Sequence, residues 1–317
     1  MIGKICGTGS YVPSKYLDNN DLAKFVDTND EWIRERTGVI RRHIVEEDTT
    51  VSMAVQAAKA ALFNAQISAA EIDLIIVSTI SSNVIMPCAA CMVQSEIGAA
   101  NATGFDLNAA CSGFIFAYNT AQAYIASGVY KTILVVGAEA LSSLVDWKDR
   151  GTCILFGDGA GAVILKEAEG ILPKCVTHSI GEKGAALTCE TRCEKRNDEQ
   201  KEAYMQMDGQ AVFKFAVKKV PESIQELLDK NQVDMKEIDY FILHQANQRI
   251  VEAVAKRLQT DISKFPMNLA EYGNTSSASI PLLLDEMNQK GILKKGQKMV
   301  LSGFGAGLSW GASLLEW

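Results

Sequence analysis

Asp106-Leu107-Asn108-Ala109-Ala110-Cys111-Ser112-Gly113 joins two segments of different periodicity. Before the turn, Gly104-Phe105-Asp106-Leu107 is short and apolar and reads as a buried strand. After it, the run from Phe114 to Ala126 has no proline or glycine and repeats its apolar residues at helical spacing. Gly128 stands where a C-terminal glycine ends a helix. Cys111 therefore sits on a tight strand-to-helix turn, flanked by residues too small to bury it. A helix N-terminus offers unpaired N–H groups and partial positive charge. Both favour thiolate over a thiol of ordinary pKa, about 8.5. The arrangement parallels the nucleophile elbow of hydrolases, with sulfur for oxygen. The competing reading is a small buried Cys in a packed turn, because free Cys is among the most buried residue types.

Strands and helices alternate outward from this turn. Thr28-Asn-Asp-Glu31 has capping-box spacing and opens a short helix carrying Trp32. Thr50 to Phe63 is alanine-rich and reads as a buried helix. There follow a strand at 72–79, a helix at 88–97 with Pro87 suited to its first position, the Cys111 strand and helix, and a strand at 132–136. Such alternation implies a mostly parallel sheet covered by helices, an α/β fold. Gly157-Asp-Gly-Ala-Gly161 invites a phosphate-loop reading, but the order strand, Gly-x-Gly-x-x-Gly, helix is absent.

The second half echoes the first. Glu71-Ile-Asp-Leu-Ile-Ile-Val-Ser78 matches Glu237-Ile-Asp-Tyr-Phe-Ile-Leu-His244. Phe105-Asp-Leu-Asn-Ala-Ala-Cys111 matches Phe265-Pro-Met-Asn-Leu-Ala-Glu271, Thr132-Ile-Leu-Val-Val-Gly matches Lys298-Met-Val-Leu-Ser-Gly, and Gly161-Ala-Val-Ile-Leu matches Gly311-Ala-Ser-Leu-Leu. The same order in both halves reads as a duplicated unit, residues 1–170 carrying the Cys and 171–317 carrying His and Asn. Ligands of such sheets bind outside the carboxyl ends of the strands, so duplication directs equivalent turns at one shared site.

The 317 residues are 48% hydrophobic with a net charge of −7. That charge argues against general nucleic-acid binding. No apolar run approaches the ~20 residues of a membrane span. The N-terminus lacks a signal-peptide layout, which leaves the cytoplasm as the expected location. Cys88-Ala-Ala-Cys91 has redox or zinc spacing, but only three His exist and no second pair has ligand spacing. Cys189 and Cys193 fall in a polar loop without a matching set. No metal is expected, and the cysteines read as reduced thiols.

Three turns complete the site: the Cys111 elbow, His244-Gln-Ala-Asn247 at the end of a strand at 240–243, and Gly273-Asn-Thr-Ser276 before a helix at 280–289. Alone, His244 reads as a core histidine and Asn274 as a turn residue. Together with Ala109-Ala-Cys-Ser-Gly113, these motifs resemble the Cys–His–Asn set of β-ketoacyl-acyl carrier protein synthase III, over essentially the whole chain. The resemblance implies a duplicated thiolase fold of five layers, α-β-α-β-α, with two mixed sheets, in a homodimer. It implies an acyltransferase that starts fatty acid synthesis. Acyl-CoA, expected to be acetyl-CoA, acylates Cys111. Decarboxylative condensation with malonyl-acyl carrier protein follows, and no cofactor is needed.

The chemistry suits these residue types. A thiolate accepts an acyl group from a thioester at little thermodynamic cost. Decarboxylation places negative charge on a thioester oxygen, which calls for hydrogen-bond donors, here a neutral His244 and the Asn274 amide. By resemblance, the oxyanion hole uses the backbone N–H groups of Cys111 and Ala306, where the family usually has Gly. Coenzyme A would meet Thr28, Trp32, Arg36, Arg150, Gly151, Asn247 and Arg249. The acyl pocket would use Leu141, Phe156, Leu187, Met205, Phe213 and Phe304, with Met86 closing it across the dimer interface. Lys214, Arg249, Lys256 and Arg257 would dock the acidic carrier protein. Papain-like proteases share the residue types but not the duplication. Degradative thiolases need a second, late Cys, and none follows Cys193. Condensing enzymes of secondary metabolism and hydroxymethylglutaryl-CoA synthases stay as alternatives.

Overall fold

Strands of residues 2–168 form a five-stranded sheet, and strands of residues 176–316 form a four-stranded one. The computed structural model describes residues 1–190 and 204–317. The first sheet runs in the order Ile2–Tyr11, Asp158–Ala168, Thr132–Ala140, Leu74–Ser78, Thr103–Leu107. Its last three strands are parallel and the other pairings antiparallel. The second sheet, Tyr240–Leu243, Lys298–Gly305, Ser309–Glu316, Val176–Ser179, has one parallel pairing followed by two antiparallel ones.

Helices fill three layers around the two sheets. Thr50–Ala65 and Ala89–Ile97 cover the outer face of the first sheet. Gly9 permits the close approach there, since a Cβ on it would lie 2.3 Å from the backbone nitrogen of Ala61. Gly113–Ala126 and Ser279–Gln289 lie between the sheets, buried on nearly all sides as their apolar sequences require. Gly209–Asn231 and Gln248–Arg257 cover the outer face of the second sheet. The result is the α-β-α-β-α thiolase fold.

Several expectations change. Both sheets are mixed and not mostly parallel, because the long strands Asp158–Ala168 and Ser309–Glu316 run antiparallel to their neighbours. The Gly104 strand is Thr103–Leu107 and is not buried, because it forms the edge of its sheet. Its counterpart Phe265-Pro-Met-Asn268 is no strand, and the second sheet stops one strand short. Pro266 has no N–H for a ladder. The Trp32 helix, Asp30–Thr37, is capped by the Asn29 side chain, accepting from Trp32 N at 2.8 Å, and not by a Thr28–Glu31 box. Pro87 precedes the N-cap Cys88 instead of occupying the first helical turn. Cys193 lies outside the described residues.

Candidate active site

The two central helices are entered in the same way. Ala110–Ser112 and Ser276–Ala278 are single 3₁₀ turns, each opening on a non-glycine residue with positive φ, Ala110 at 46° and Ser276 at 50°. Each leads straight into its helix. The structural partner of the Cys111 turn is therefore Ser276–Ala278, not the Leu269–Glu271 stretch that the sequence echo pairs with it.

Cys111, His244 and Asn274 line one cavity of about 200 Å³. All three are buried, at 7%, 2% and 6% exposure, so a reagent meets them only through that cavity. The expected exposed thiol is thus replaced by a buried one. The thiol is not acidified either. The Gly113–Ala126 helix starts beyond Cys111, while burial, with Glu139 nearby, pushes the thiol up to about 12.

His244 leaves the Tyr240–Leu243 strand with its backbone N–H bound to Ser302 O at 2.8 Å. Burial lowers its imidazole to about 3, so the ring is neutral. Its Nδ1 is 2.7 Å from Ser279 Oγ, which also accepts from Gln245 N at 3.4 Å. A neutral ring carries one N–H, and where Nδ1 accepts the Ser279 proton that N–H lies at Nε2. Phe304 packs edge-on against the ring at 5.3 Å.

Asn274 is clamped by the first half of the chain. Its N–H donates to Leu155 O at 2.8 Å, and its carbonyl accepts from Gly157 N at 3.0 Å. Its Oδ1 accepts from Ser276 N at 2.9 Å, which directs the amide NH₂ away from that turn. The cavity therefore holds a thiol sulfur beside a neutral imidazole and a carboxamide, and two neutral donors so placed suit a developing oxyanion.

The pH dependence of folding follows. An unfolded His titrates near 6.5 and the folded His244 near 3, so between these values the unfolded chain binds the extra proton. This group leaves stability unchanged above 6.5 and reduces it as pH falls from 6.5 toward 3. The melting temperature should drop on acidification to about pH 5, and less so in His244→Gln.

The other residues divide. Phe156, Leu187, Phe213 and Phe304 line the cavity. Leu141 and Met205 do not; they pack in the neighbouring core with Ile154 and Leu269, because the walls already screen them. Met86 is 85% exposed and away from the cavity of its own chain. Exposed Arg36 and Gly151 line the cavity too, which opens it to solvent. Trp32 lies under the guanidinium groups of Arg150, at 4.8 Å, and Arg36, at 5.5 Å. Asn247, also on the cavity, ties Arg36 O at 3.0 Å and caps the helix at Arg249 N. Thr28 Oγ1 is buried without a partner. Ala306 lines the groove on the far side of the Cys111 turn, beside Gly307. Arg249 lies over Phe213 at 5.6 Å, and Arg257 reaches Val217 O at 3.1 Å. Lys214, Arg249, Lys256 and Arg257 are all exposed on the two outer helices.

Glu139 is the group the sequence reading missed. It is fully buried and lies behind Ser276. A lone acid in the apolar run Thr132–Ala140 was the available signal, since buried carboxylates need dedicated partners.

Residues 105–182 match the family model of 3-oxoacyl-(acyl-carrier-protein) synthase III, and 228–317 match its C-terminal model. A β-ketoacyl-(acyl-carrier-protein) synthase III of Clostridium acetobutylicum is 48% identical over 99% of this chain and 98% of its own. The chain belongs to the 3-oxoacyl-(acyl-carrier-protein) synthase III family. The 3-oxoacyl-(acyl-carrier-protein) synthase III of Aquifex aeolicus has a similar structure, with TM-score 0.94, 43% identity and coverage of 99% of this chain and 100% of that one. The priming β-ketosynthase of the R1128 polyketide pathway has TM-score 0.95 at 34% identity, covering 99% and 96%. As a synthase III, the chain is an acyltransferase, the condensing enzyme that initiates fatty acid synthesis. No helix among the described residues is long and apolar enough to cross a membrane, and no group of three or more His, Cys, Asp or Glu among them is placed to hold a metal ion.

Proposed function

We propose that Cys111 takes an acyl group from acyl-CoA, preferentially acetyl-CoA, and that His244 and Asn274 then decarboxylate malonyl-acyl carrier protein. The observation that carries this reading is the meeting of a sulfur and two neutral donors from different parts of the chain in one cavity. The Cys111 sulfur bonds to the acyl carbon, the thioester C–S bond breaks, and CoA leaves as the thiol. Carbon dioxide then leaves the malonyl group, the enolate oxygen takes hydrogen bonds from His244 and Asn274, and its carbon attacks the acyl-Cys111 carbonyl. The tetrahedral oxyanion collapses, the C–S bond to Cys111 breaks, the sulfur takes a proton from solvent, and 3-oxoacyl-acyl carrier protein leaves. The backbone N–H of Cys111 holds that oxyanion; Ala306, the second donor implied by resemblance, lies in the groove on the far side of the turn and outside this cavity. The steps balance without a metal or redox cofactor.

Acyl-CoA approaches over Trp32, Arg36 and Arg150, a planar aromatic and cations suited to a nucleotide base and phosphates. Thr28, Gly151, Asn247 and Arg249 complete that path. The carrier protein docks on Lys214, Arg249, Lys256 and Arg257. The enzyme acts as a homodimer, a reading supported by the half-exposed edge strand Thr103–Leu107 and by the exposure of Ile85 and Met86. A reducing cytoplasm suits the free cysteines among the described residues. We read residues 1–170 as the half that carries the nucleophile and 171–317 as the half that carries His and Asn. The likeness to a polyketide priming ketosynthase favours one second reading, a condensing enzyme of secondary metabolism.

Intact-mass spectrometry tests the reading. Acetyl-CoA should add one acetyl group, lost in Cys111→Ala, and malonyl-acyl carrier protein should then remove it. An acetyl mass on Cys111→Ala contradicts the assignment. Primer choice tests Met86. An unbranched side chain makes a softer pocket floor than a Phe ring, and one methylene is worth about 1–3 kcal/mol of discrimination. Met86→Phe should lower kcat/KM for butyryl- and isobutyryl-CoA relative to acetyl-CoA; unchanged ratios remove residue 86 from the floor.

A further inference from the structure

We propose that Ser279, the first residue of the Ser279–Gln289 helix, is the positioning residue that presents the Nε2 N–H of His244 to the cavity. The inference rests on the reading of His244 as the enolate donor, but its first test needs no thioester.

The duplication brings these two side chains together. Ser78 and His244 stand at equivalent strand ends of the repeat. The equivalent 3₁₀ turns Ala110–Ser112 and Ser276–Ala278 make Gly113 the counterpart of Ser279. In the first half, a Cβ on Gly113 would lie 2.0 Å from Ser78 Oγ, so the strand end touches the helix start. Ser78 Oγ is buried there without a hydrogen-bond partner. In the second half the same place holds an imidazole and a hydroxyl, with His244 Nδ1 2.7 Å from Ser279 Oγ. Both residues are 2% exposed. A contact that is packing alone in one half is a polar pair in the other.

The direction of the bond follows from the other neighbour of Ser279. Gln245 N–H, 3.4 Å from Ser279 Oγ, can only donate, so it takes an oxygen lone pair. Among the described residues, Nδ1 is the one acceptor that hydrogen-bonds this hydroxyl, which has a single proton to place. A buried hydroxyl proton without an acceptor is costly. Nδ1 therefore accepts, and the one N–H of the ring sits at Nε2. Burial keeps the ring neutral, with its pKa lowered to about 3, so no second proton blurs the choice. The ring lines the cavity with Cys111 and Asn274, so Nε2 is the nitrogen left for a substrate oxygen. Ser279 belongs to a helix buried between the two sheets, which fixes its hydroxyl through the core and not through a loop.

Nitrogen-15 NMR of the histidine rings tests this on the wild-type protein. The chain has three His, at 43, 178 and 244, and His244→Gln identifies the third by loss of its signals. Two-bond proton–nitrogen correlations at neutral pH should show His244 protonated at Nε2 and unprotonated at Nδ1. His43, whose Nδ1 is 2.6 Å from the acceptor Pro13 O, carries a proton at Nδ1 and is the internal contrast. A proton on His244 Nδ1 overturns the proposal. Ser279→Ala removes the hydroxyl without changing charge. The His244 Nδ1 resonance should then move, because it loses its donor. Carbon dioxide release from malonyl-acyl carrier protein should slow about tenfold or more, since a misplacement of about 1 Å can cost 10²-fold. Acetyl gain from acetyl-CoA should stay near the wild-type rate. An unmoved Nδ1 resonance, decarboxylation at the wild-type rate, or equal loss of both half-reactions overturns the proposal. Decarboxylation retained in His244→Ala would overturn the enolate reading itself, and the ring signals tell the two failures apart.

Discussion

His244→Ala and Asn274→Ala should each slow malonyl decarboxylation by about 10²–10³-fold, the usual loss for one oxyanion donor. Acylation of Cys111 should keep most of its rate. The split follows from the protonation states. Burial holds His244 at about 3, too weak a base to take a proton from a thiol pushed up to about 12. A neutral ring donating from Nε2 is well suited to an enolate oxygen, and the Asn274 amide, anchored through Oδ1 at Ser276 N, supplies the second donor. The half-reactions separate experimentally as acetyl gain from acetyl-CoA and carbon dioxide release from malonyl-acyl carrier protein. Equal loss of both in His244→Ala would make this residue the base for sulfur and remove the assignment.

Gly305→Ala should be nearly as damaging, in the other half-reaction. A Cβ at 305 would lie 2.7 Å from Cys111 N, 3.0 Å from Ser112 N and 3.1 Å from Cys111 Cβ. All three belong to the turn that carries the nucleophile, so no flexible side-chain end can yield. The turn must shift and take its backbone donor with it. Acylation by acetyl-CoA should fall by about 10²-fold or more, the scale of one lost donor. Gly303, on the same strand, is the control. Its nearest contact for a Cβ is Ile115 Cγ1 at 3.2 Å, a side-chain atom that can move by a few tenths of an ångström. Gly303→Ala should retain most activity. Comparable loss in both variants would mean that the strand tolerates no added carbon anywhere, and the specific role of Gly305 would fall.

The sequence alone determined the elements around the nucleophile. Helical periodicity after Ser112, glycine punctuation at Gly128 and alternation of strands with helices are short-range signals, and each element came out within a few residues of its reading. The strand end carrying His244 was legible because its segment repeats Glu71–Ser78, and the turn carrying Asn274 was legible from its Gly-Asn-Thr-Ser motif. Tertiary structure alone decided what surrounds them. The Thr103–Leu107 strand is apolar enough for a core, yet its place at the sheet edge leaves it half-exposed. Leu141 and Met205 have the composition of pocket walls, but other side chains screen them from the cavity. A cysteine at a helix start reads as acidic, yet desolvation outweighs the helix terminus. Glu139 and Ser276 are 137 positions apart, and no local pattern links them. Periodicity and capping act over one or two turns of chain, whereas register, desolvation and the direction of a buried proton depend on groups that only folding brings together.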